Sequence, residues 1–106
     1  MAFQIGSDLL DACVLGVLSR GDAYGYSLTQ SLREAITISD STTYPVLRRL
    51  QHSGYLKTYD KPFQGRNRRY YAITPAGLEK HKENIQMWNQ YKKQVDRLIN
   101  GGDEID

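Results

Sequence analysis

The chain has 106 residues and a mass of 12.1 kDa, the size of a single domain whose modest core takes up somewhat under about 70% of the unfolded surface. Its 40% apolar and 25% charged residues exclude a disordered polymer, and its apolar runs are too short to cross a bilayer. The net charge of +2 hides an uneven distribution: residues 1–40 sum to −3, residues 41–75 to +6 and residues 76–106 to −1, so the cations gather where a polyanion would be gripped.

Met1 to Ser7 contains no Lys or Arg, so no secretory leader is expected and the protein is read as cytoplasmic. Ser7 and Asp8 offer a cap and a negative first turn, and Leu9, Leu10, Cys13, Val14, Val17 and Leu18 recur at helical spacing as far as Gly21. After a turn at Gly21 and Asp22, a second helix begins near Tyr24, with Leu28, Leu32 and Ile36 as its buried stripe.

Pro45 lacks a backbone N–H and fits only a first turn, which starts the third helix close to Ser41, with Ser39 or Ser41 as its cap. Thr43, Val46, Leu47 and Leu50 then point inward, Gly54 takes the left-handed position that ends the helix, and Ser41, Thr42, Tyr44, Arg48 and Arg49 occupy the other face.

Tyr55 to Tyr59 and Arg68 to Ile73 alternate in polarity and read as two strands joined by a loop, Asp60 to Asn67, that holds Pro62 and Gly65. Thr74 and Pro75 form a strong start signal for a last helix that runs to about Asn100, where Gly101 and Gly102 stop it. The fold expected is mainly α with a small β-hairpin: a winged helix-turn-helix over residues 1–74, a carboxyl-terminal helix over 75–100 and a flexible tail over 101–106.

Cys13 is the single cysteine, which rules out an intramolecular disulfide and a multi-cysteine metal site, and it reads as a small buried hydrophobe rather than a redox sensor. His52 and His81 have no ligand at metal spacing. No Ser, His and acid set, no paired carboxylates and no phosphate-cradling glycine loop occur in usable context, so no catalysis, cofactor or metal is expected.

A helix that enters the major groove needs small polar groups at its leading end and Arg one or two turns later, and Ser41, Thr42, Tyr44, Arg48 and Arg49 fit that pattern. A solvated helix face is the alternative for the two arginines. Gly65-Arg66-Asn67-Arg68-Arg69 gathers three guanidinium groups around a glycine on a projecting loop, with Lys57 and Lys61 nearby; a merely soluble turn would not crowd like charges in this way. Tyr24, Tyr26 and Ser27 add donors at the start of the second helix, where tyrosine also packs for structural reasons. Together these residues imply double-stranded DNA as partner; a winged module that binds RNA or a protein is the competing reading.

Along the last helix, Trp88, Tyr91, Val95 and Leu98 recur in three-four-three spacing, with Ile85 and Ile99 broadening the stripe. So small a domain has no core of its own for that stripe, which implies a homodimer and a palindromic site with half-sites about 10 bp apart. Trp88 at a dimer seam also has the shape to line a flat pocket for a small planar aromatic ligand, or simply packs there.

The chain resembles the PadR family of bacterial transcriptional regulators, in its short form with one carboxyl-terminal helix. The matching segments are Ala23-Tyr24-Gly25-Tyr26-Ser27-Leu28, Thr42 to Leu50 with Gly54-Tyr55-Leu56, and Gly65 to Thr74 with Gly77. The resemblance implies a dimeric repressor in which the first and last helices form the dimer, through Leu9, Cys13, Trp88, Tyr91, Val95 and Leu98. It also implies release by aromatic or drug-like effectors near Ile85, Trp88 and Tyr91. Two positions depart from the family pattern: Thr43 stands where leucine is common, and Lys92 lies one turn after Trp88, where a cationic ligand would call for an acid.

Overall fold

The computed structural model describes residues 3–39 and 41–101. The elements are α1 (Ser7–Leu18), β1 (Ala23–Tyr24), α2 (Gly25–Ala35), α3 (Thr43–His52), β2 (Leu56–Phe63), β3 (Arg66–Ile73) and α4 (Pro75–Asn100). They build a winged helix-turn-helix followed by one long helix. The tail beyond Gly101 lies outside the described residues.

α1 is the central post. Its Leu10, Val14, Leu15 and Leu18 are buried and meet Leu28 and Leu32 of α2, Val46, Leu47 and Leu50 of α3, and Leu56 and Tyr71 from the sheet. Three amphipathic helices thus cover one another's apolar stripes, and the hairpin closes the open end. Two expected caps are not formed. Gly6, not Ser7, is the residue before α1, and Thr42, not Ser39 or Ser41, precedes α3; neither makes a side-chain capping bond. The three hydroxyls before α3 satisfy one another instead, with Ser39 Oγ 2.6 Å from Thr42 Oγ1 and 3.3 Å from Ser41 Oγ. α2 ends at Ala35, one residue short of Ile36, whose extended backbone still lays its half-buried side chain against the core.

The end of α3 follows the expected chemistry. Gly54 has φ of 86°, its N–H donates to Gln51 at 3.0 Å and the Tyr55 N–H donates to Leu50 at 3.0 Å, the paired bonds of a Schellman motif. Gly54 then hands its carbonyl to the next boundary. Thr74 Oγ1 donates to it at 2.7 Å and accepts from the Gly77 N–H at 3.0 Å, so one hydroxyl ties the end of α3 to the start of α4.

The sheet is larger than the expected hairpin. Both long strands run to within two residues of each other, with Phe63 opposite Arg66, and only Gln64 and Gly65 form the turn, at φ of 52° and 78°. Two consecutive positive φ angles give the type I′ turn that matches the natural twist of a hairpin, so residues expected in a loop are paired. Pro62 lies in β2 and pairs with Asn67. It is tolerated there because β2 is an edge strand and the pair next to the turn pair is not hydrogen bonded, so no ladder bond is lost. β1 is the element that sequence periodicity missed: two residues, Ala23 and Tyr24, pair with Tyr71 and Tyr70 and make β3 the central strand.

α4 packs its first turns on α1 and then leaves the domain. Gly77 and Asn84 are its buried residues, and it extends the molecule to 60 Å along its longest axis. Among the described residues no helix is long and apolar enough to cross a membrane.

Candidate nucleic-acid interface

The period of a strand decides what each wing residue faces. Pairing places Leu56, Thr58, Asp60 and Pro62 on one side of the sheet with Ile73, Tyr71, Arg69 and Asn67, and this side covers the core. Lys57, Tyr59, Lys61 and Phe63 share the other side with Ala72, Tyr70, Arg68 and Arg66. Four consecutive residues of the basic run therefore split between two faces: Asn67 and Arg69 lie on the side of the helices, Arg66 and Arg68 on the outer side.

On the helix side, wing and α3 meet around Tyr71. Burial pushes the Tyr71 phenol up, and the guanidinium groups of Arg69 and Arg48 pull it back while Tyr44 opposes them. Arg48 of α3 and Arg69 of the wing are both exposed, Arg69 on the helix side of the sheet, and Tyr44 is exposed at the leading end of α3. Arg69 is also 3.6 Å from Asp60, an exposed pair that holds the cation loosely. Among the described residues Arg48 and Arg66 have no ion pair or ring contact, and their charge faces solvent.

Arg49 is placed differently. It grips Asp11 of α1 through two nitrogens, and that carboxylate, with Asp8 behind it, raises the arginine further above its ordinary range. The pair links α1 to α3, so part of the charge of Arg49 is answered within the chain. Sequence spacing gave no sign of this, because Asp11 and Arg49 lie 38 positions apart.

At the start of α2, Tyr24 precedes the helix, Ser27 Oγ donates to the Tyr24 carbonyl at 3.0 Å, and the exposed Tyr26 hydroxyl accepts from Gln30 at 3.0 Å. Gly25 is buried under Tyr44: a Cβ built on it would lie 2.8 Å from the tyrosine hydroxyl. The turn before α2 and the first turn of α3 are therefore in van der Waals contact, which fixes Tyr44 at the leading end of α3. Ser41 and Thr42 sit beside it, exposed and half-buried respectively.

Far from this surface, α4 and α1 expose a second feature. Trp88 is 41% exposed, Tyr91 55% and Leu98 84%, with Ile85 and Met87 beside them. Trp88 and Tyr91 stand 6.4 Å apart at 48°, and Lys92 Nζ lies 5.9 Å from the indole. Between this helix and Leu9 of α1 runs an open groove of about 450 Å³ lined by Met87, Trp88 and Tyr91, and Cys13 and Ile85 line a neighbouring one of about 390 Å³. Val95 is half-buried. Burial pushes the Cys13 thiol up, away from the thiolate form that redox chemistry needs. Among the described residues no group of three or more His, Cys, Asp or Glu is placed to hold a metal.

Residues 14–83 match the family model for the transcriptional regulator PadR-like family. The chain belongs to that family. The PadR-like assignment covers the helix-turn-helix, the wing and the first part of α4, and it makes the protein a transcriptional regulator and not an enzyme. The solved structure of smu.1704 from Streptococcus mutans UA159 is 33% identical, and the match covers 100% of both chains with a TM-score of 0.87. A PadR-like transcriptional regulator from Bacillus cereus is 32% identical over 87% of this chain and 92% of its own, with a TM-score of 0.78. Transcriptional regulator Rv3488 of Mycobacterium tuberculosis is 42% identical over 57 residues, 53% of this chain and 53% of that protein.

Sequence reasoning located the basic segment of this PadR-like chain, Arg69 included, without placing Arg69 on the helix side of the sheet, and missed three residues that engage its cations: Asp11, Phe63 and Tyr70. The strand period through Gly65-Arg66-Asn67-Arg68-Arg69 was the available signal for Arg69.

Proposed function

We propose that the chain binds double-stranded DNA as a homodimer and represses transcription from palindromic sites. The observation that carries this reading is an exposed Arg48 on the outward face of α3 together with a wing whose Arg66, Asn67 and Arg69 are exposed, the last two on the side of the sheet that faces the helices. A helix face with small polar residues leading and a free arginine one turn later suits the major groove, and an adjacent arginine-bearing finger suits the flanking backbone or minor groove. Ser41, Thr42, Tyr44 and Arg48 then approach base edges. Arg66, Asn67 and Arg69 meet phosphate, with Arg49, Lys57 and the Tyr24–Ser27 turn at the margin.

The apolar stripe of α4 supports the dimer. Trp88, Tyr91 and Leu98 are too exposed for a helix that ends alone in water, and a second copy would cover them together with Leu9 and Cys13. A small planar aromatic effector enters beside Trp88, Tyr91 and Ile85 at that seam. By changing the spacing of the two α4 helices it shifts the two recognition helices away from one-turn separation. The Lys92 ammonium beside the indole disfavours cationic effectors.

Selection of bound fragments from the host genome tests the reading. An inverted-repeat duplex with half-sites about 10 bp apart should emerge, bound by a species of twice the chain mass and released steeply by salt. A chain that stays monomeric at working concentration, or that prefers RNA or ignores every inverted repeat, overturns it.

A further inference from the structure

Three features still invite an explanation: the outer face of the sheet, the half-buried His81 between α4 and α1, and the hydroxyl cluster before α3. The outer face carries an inference. There Tyr59 and Tyr70 stack across the β2–β3 pair at 5.5 Å and 9°, Tyr24 lies 5.8 Å from Tyr70, and the Tyr59 hydroxyl donates to Asp22 at 2.7 Å. One row further toward the tip, the Arg68 guanidinium lies 4.0 Å from the Tyr24 ring centroid and 3.5 Å from the Phe63 ring centroid. Arg68 is half-buried, whereas its neighbours Asn67 and Arg69 and the tip residue Arg66 are exposed.

The register explains how one side chain reaches both rings. Tyr24 pairs with Tyr70 on β1 and Phe63 pairs with Arg66 on β2, so both rings sit diagonal to Arg68 on the same face, one toward the helices and one toward the tip. A planar guanidinium can stack one face on each of two rings; an ammonium has no plane to stack and sheds its tighter hydration less readily. We propose that Arg68 is a positioning residue, a clasp between Tyr24 at the start of α2 and Phe63 at the wing tip that sets the angle of the wing over the helix-turn-helix. The clasp matters because the wing joins the domain through a two-stranded ribbon beyond the reach of β1. Such a ribbon bends and twists easily, and a tip that wanders loses its phosphate and minor-groove contacts. Arg66 and Asn67 are then the groups that meet DNA, and Arg68 holds them in place.

This inference rests on the DNA-binding reading for its consequence, but the clasp itself is measurable without DNA. The test compares Arg68→Ala, Arg68→Lys and Phe63→Leu with the unaltered chain, by backbone ¹⁵N relaxation of Gln64 and Gly65 in the free protein and by titration of the genome-selected duplex over a range of salt. The clasp predicts that all three variants loosen the turn amides, that Arg68→Lys is as impaired as Arg68→Ala, and that Phe63→Leu combined with Arg68→Ala is no worse than either alone. Affinity should fall by about tenfold, the scale of a partly desolvated cation–π contact, and the salt slope of Arg68→Lys should stay unchanged. If Arg68→Lys binds like the unaltered chain with a rigid tip, or Arg68→Ala lowers the slope by about 1 while the tip stays rigid, Arg68 is a phosphate contact and the clasp is refuted. Should Arg68→Ala not fold, Arg68→Lys and Phe63→Leu carry the same comparison. Loosened amides in a chain that binds no duplex would leave the clasp standing and sink the DNA-binding reading.

Discussion

Gly77→Ala should destabilise the fold, although it replaces a poor helix former by the best one. A Cβ at residue 77 would lie 2.3 Å from the Tyr55 carbonyl oxygen and 2.6 Å from Ile73 Cγ1. Backbone cannot swing aside, so the first turn of α4 must lift by about 1 Å to restore ordinary contact. The lift pulls on the bonds that meet there: Thr74 N–H to Tyr55 O at 3.0 Å, Gly77 N–H to Thr74 Oγ1 at 3.0 Å, and Thr74 Oγ1 to Gly54 O at 2.7 Å. Overpacking costs about 1–3 kcal/mol and a weakened hydrogen bond about 1 kcal/mol, against a helix-propensity gain of at most about 1 kcal/mol. The net is about 2 kcal/mol of lost stability, or a fall in Tm of roughly 8–16 °C for a domain of this size.

Gly16→Ala is the matched control. Its Cβ would meet only the His81 ring, at an ordinary 3.6 Å, so mid-α1 alanine should add about 0.5–1 kcal/mol. Thermal unfolding of both variants at one fixed protein concentration checks the pair, since association shifts apparent stability. If Gly77→Ala melts at or above the unaltered chain, as Gly16→Ala should, α4 does not approach Tyr55 as closely as described.

Thr43→Val should raise stability by about 1 kcal/mol in denaturant unfolding, because the Thr43 hydroxyl is fully buried with no partner among the described residues and valine keeps its shape. Gly25→Ala should leave the melting temperature nearly unchanged yet weaken binding of the genome-selected duplex by about tenfold, since the new methyl displaces the Tyr44 ring from the leading end of α3; an unaltered affinity would refute that placement. The Asp22 carboxylate raises the Tyr59 phenol, and burial raises that of Tyr71. A raised folded value means that the neutral phenol's contribution to stability is complete below the ordinary value of about 10 and is lost as pH climbs through the folded one. In an ultraviolet titration, Tyr59→Phe and Tyr71→Phe should each remove a phenol that ionises above the ordinary range. Arg48→Ala should relax base choice, whereas Arg66→Ala should weaken all duplexes alike and lower the salt slope by about 1; equal effects of both on every sequence would contradict the assignment.

Short-range chemistry was legible in the order of residues. Leu28 and Leu32, Val46 and Leu50, Gly54 at a positive φ and Thr74 before Pro75 each report on neighbours within one or two turns, so periodicity and capping preferences found four helices and the basic centre. The cap before α3 failed because several adjacent hydroxyls compete for one role and local preference does not choose among them, and the cap at Ser7 failed because α1 already includes that residue. The hairpin was expected to be too short because proline and charge suggest loop, whereas an edge strand tolerates both.

Composition and spacing alone determined that cations crowd residues 41–75 and that the last helix has an apolar stripe too long for its own domain. Only the tertiary structure decided which cations act together. Strand pairing sends Arg68 to two aromatic rings and Arg69 to the helix side of the sheet, and helix packing sends Arg49 to Asp11. The physical reason is that a charge's partner is set by the distance across the fold, and two residues 38 positions apart in the chain become neighbours only when the core has formed.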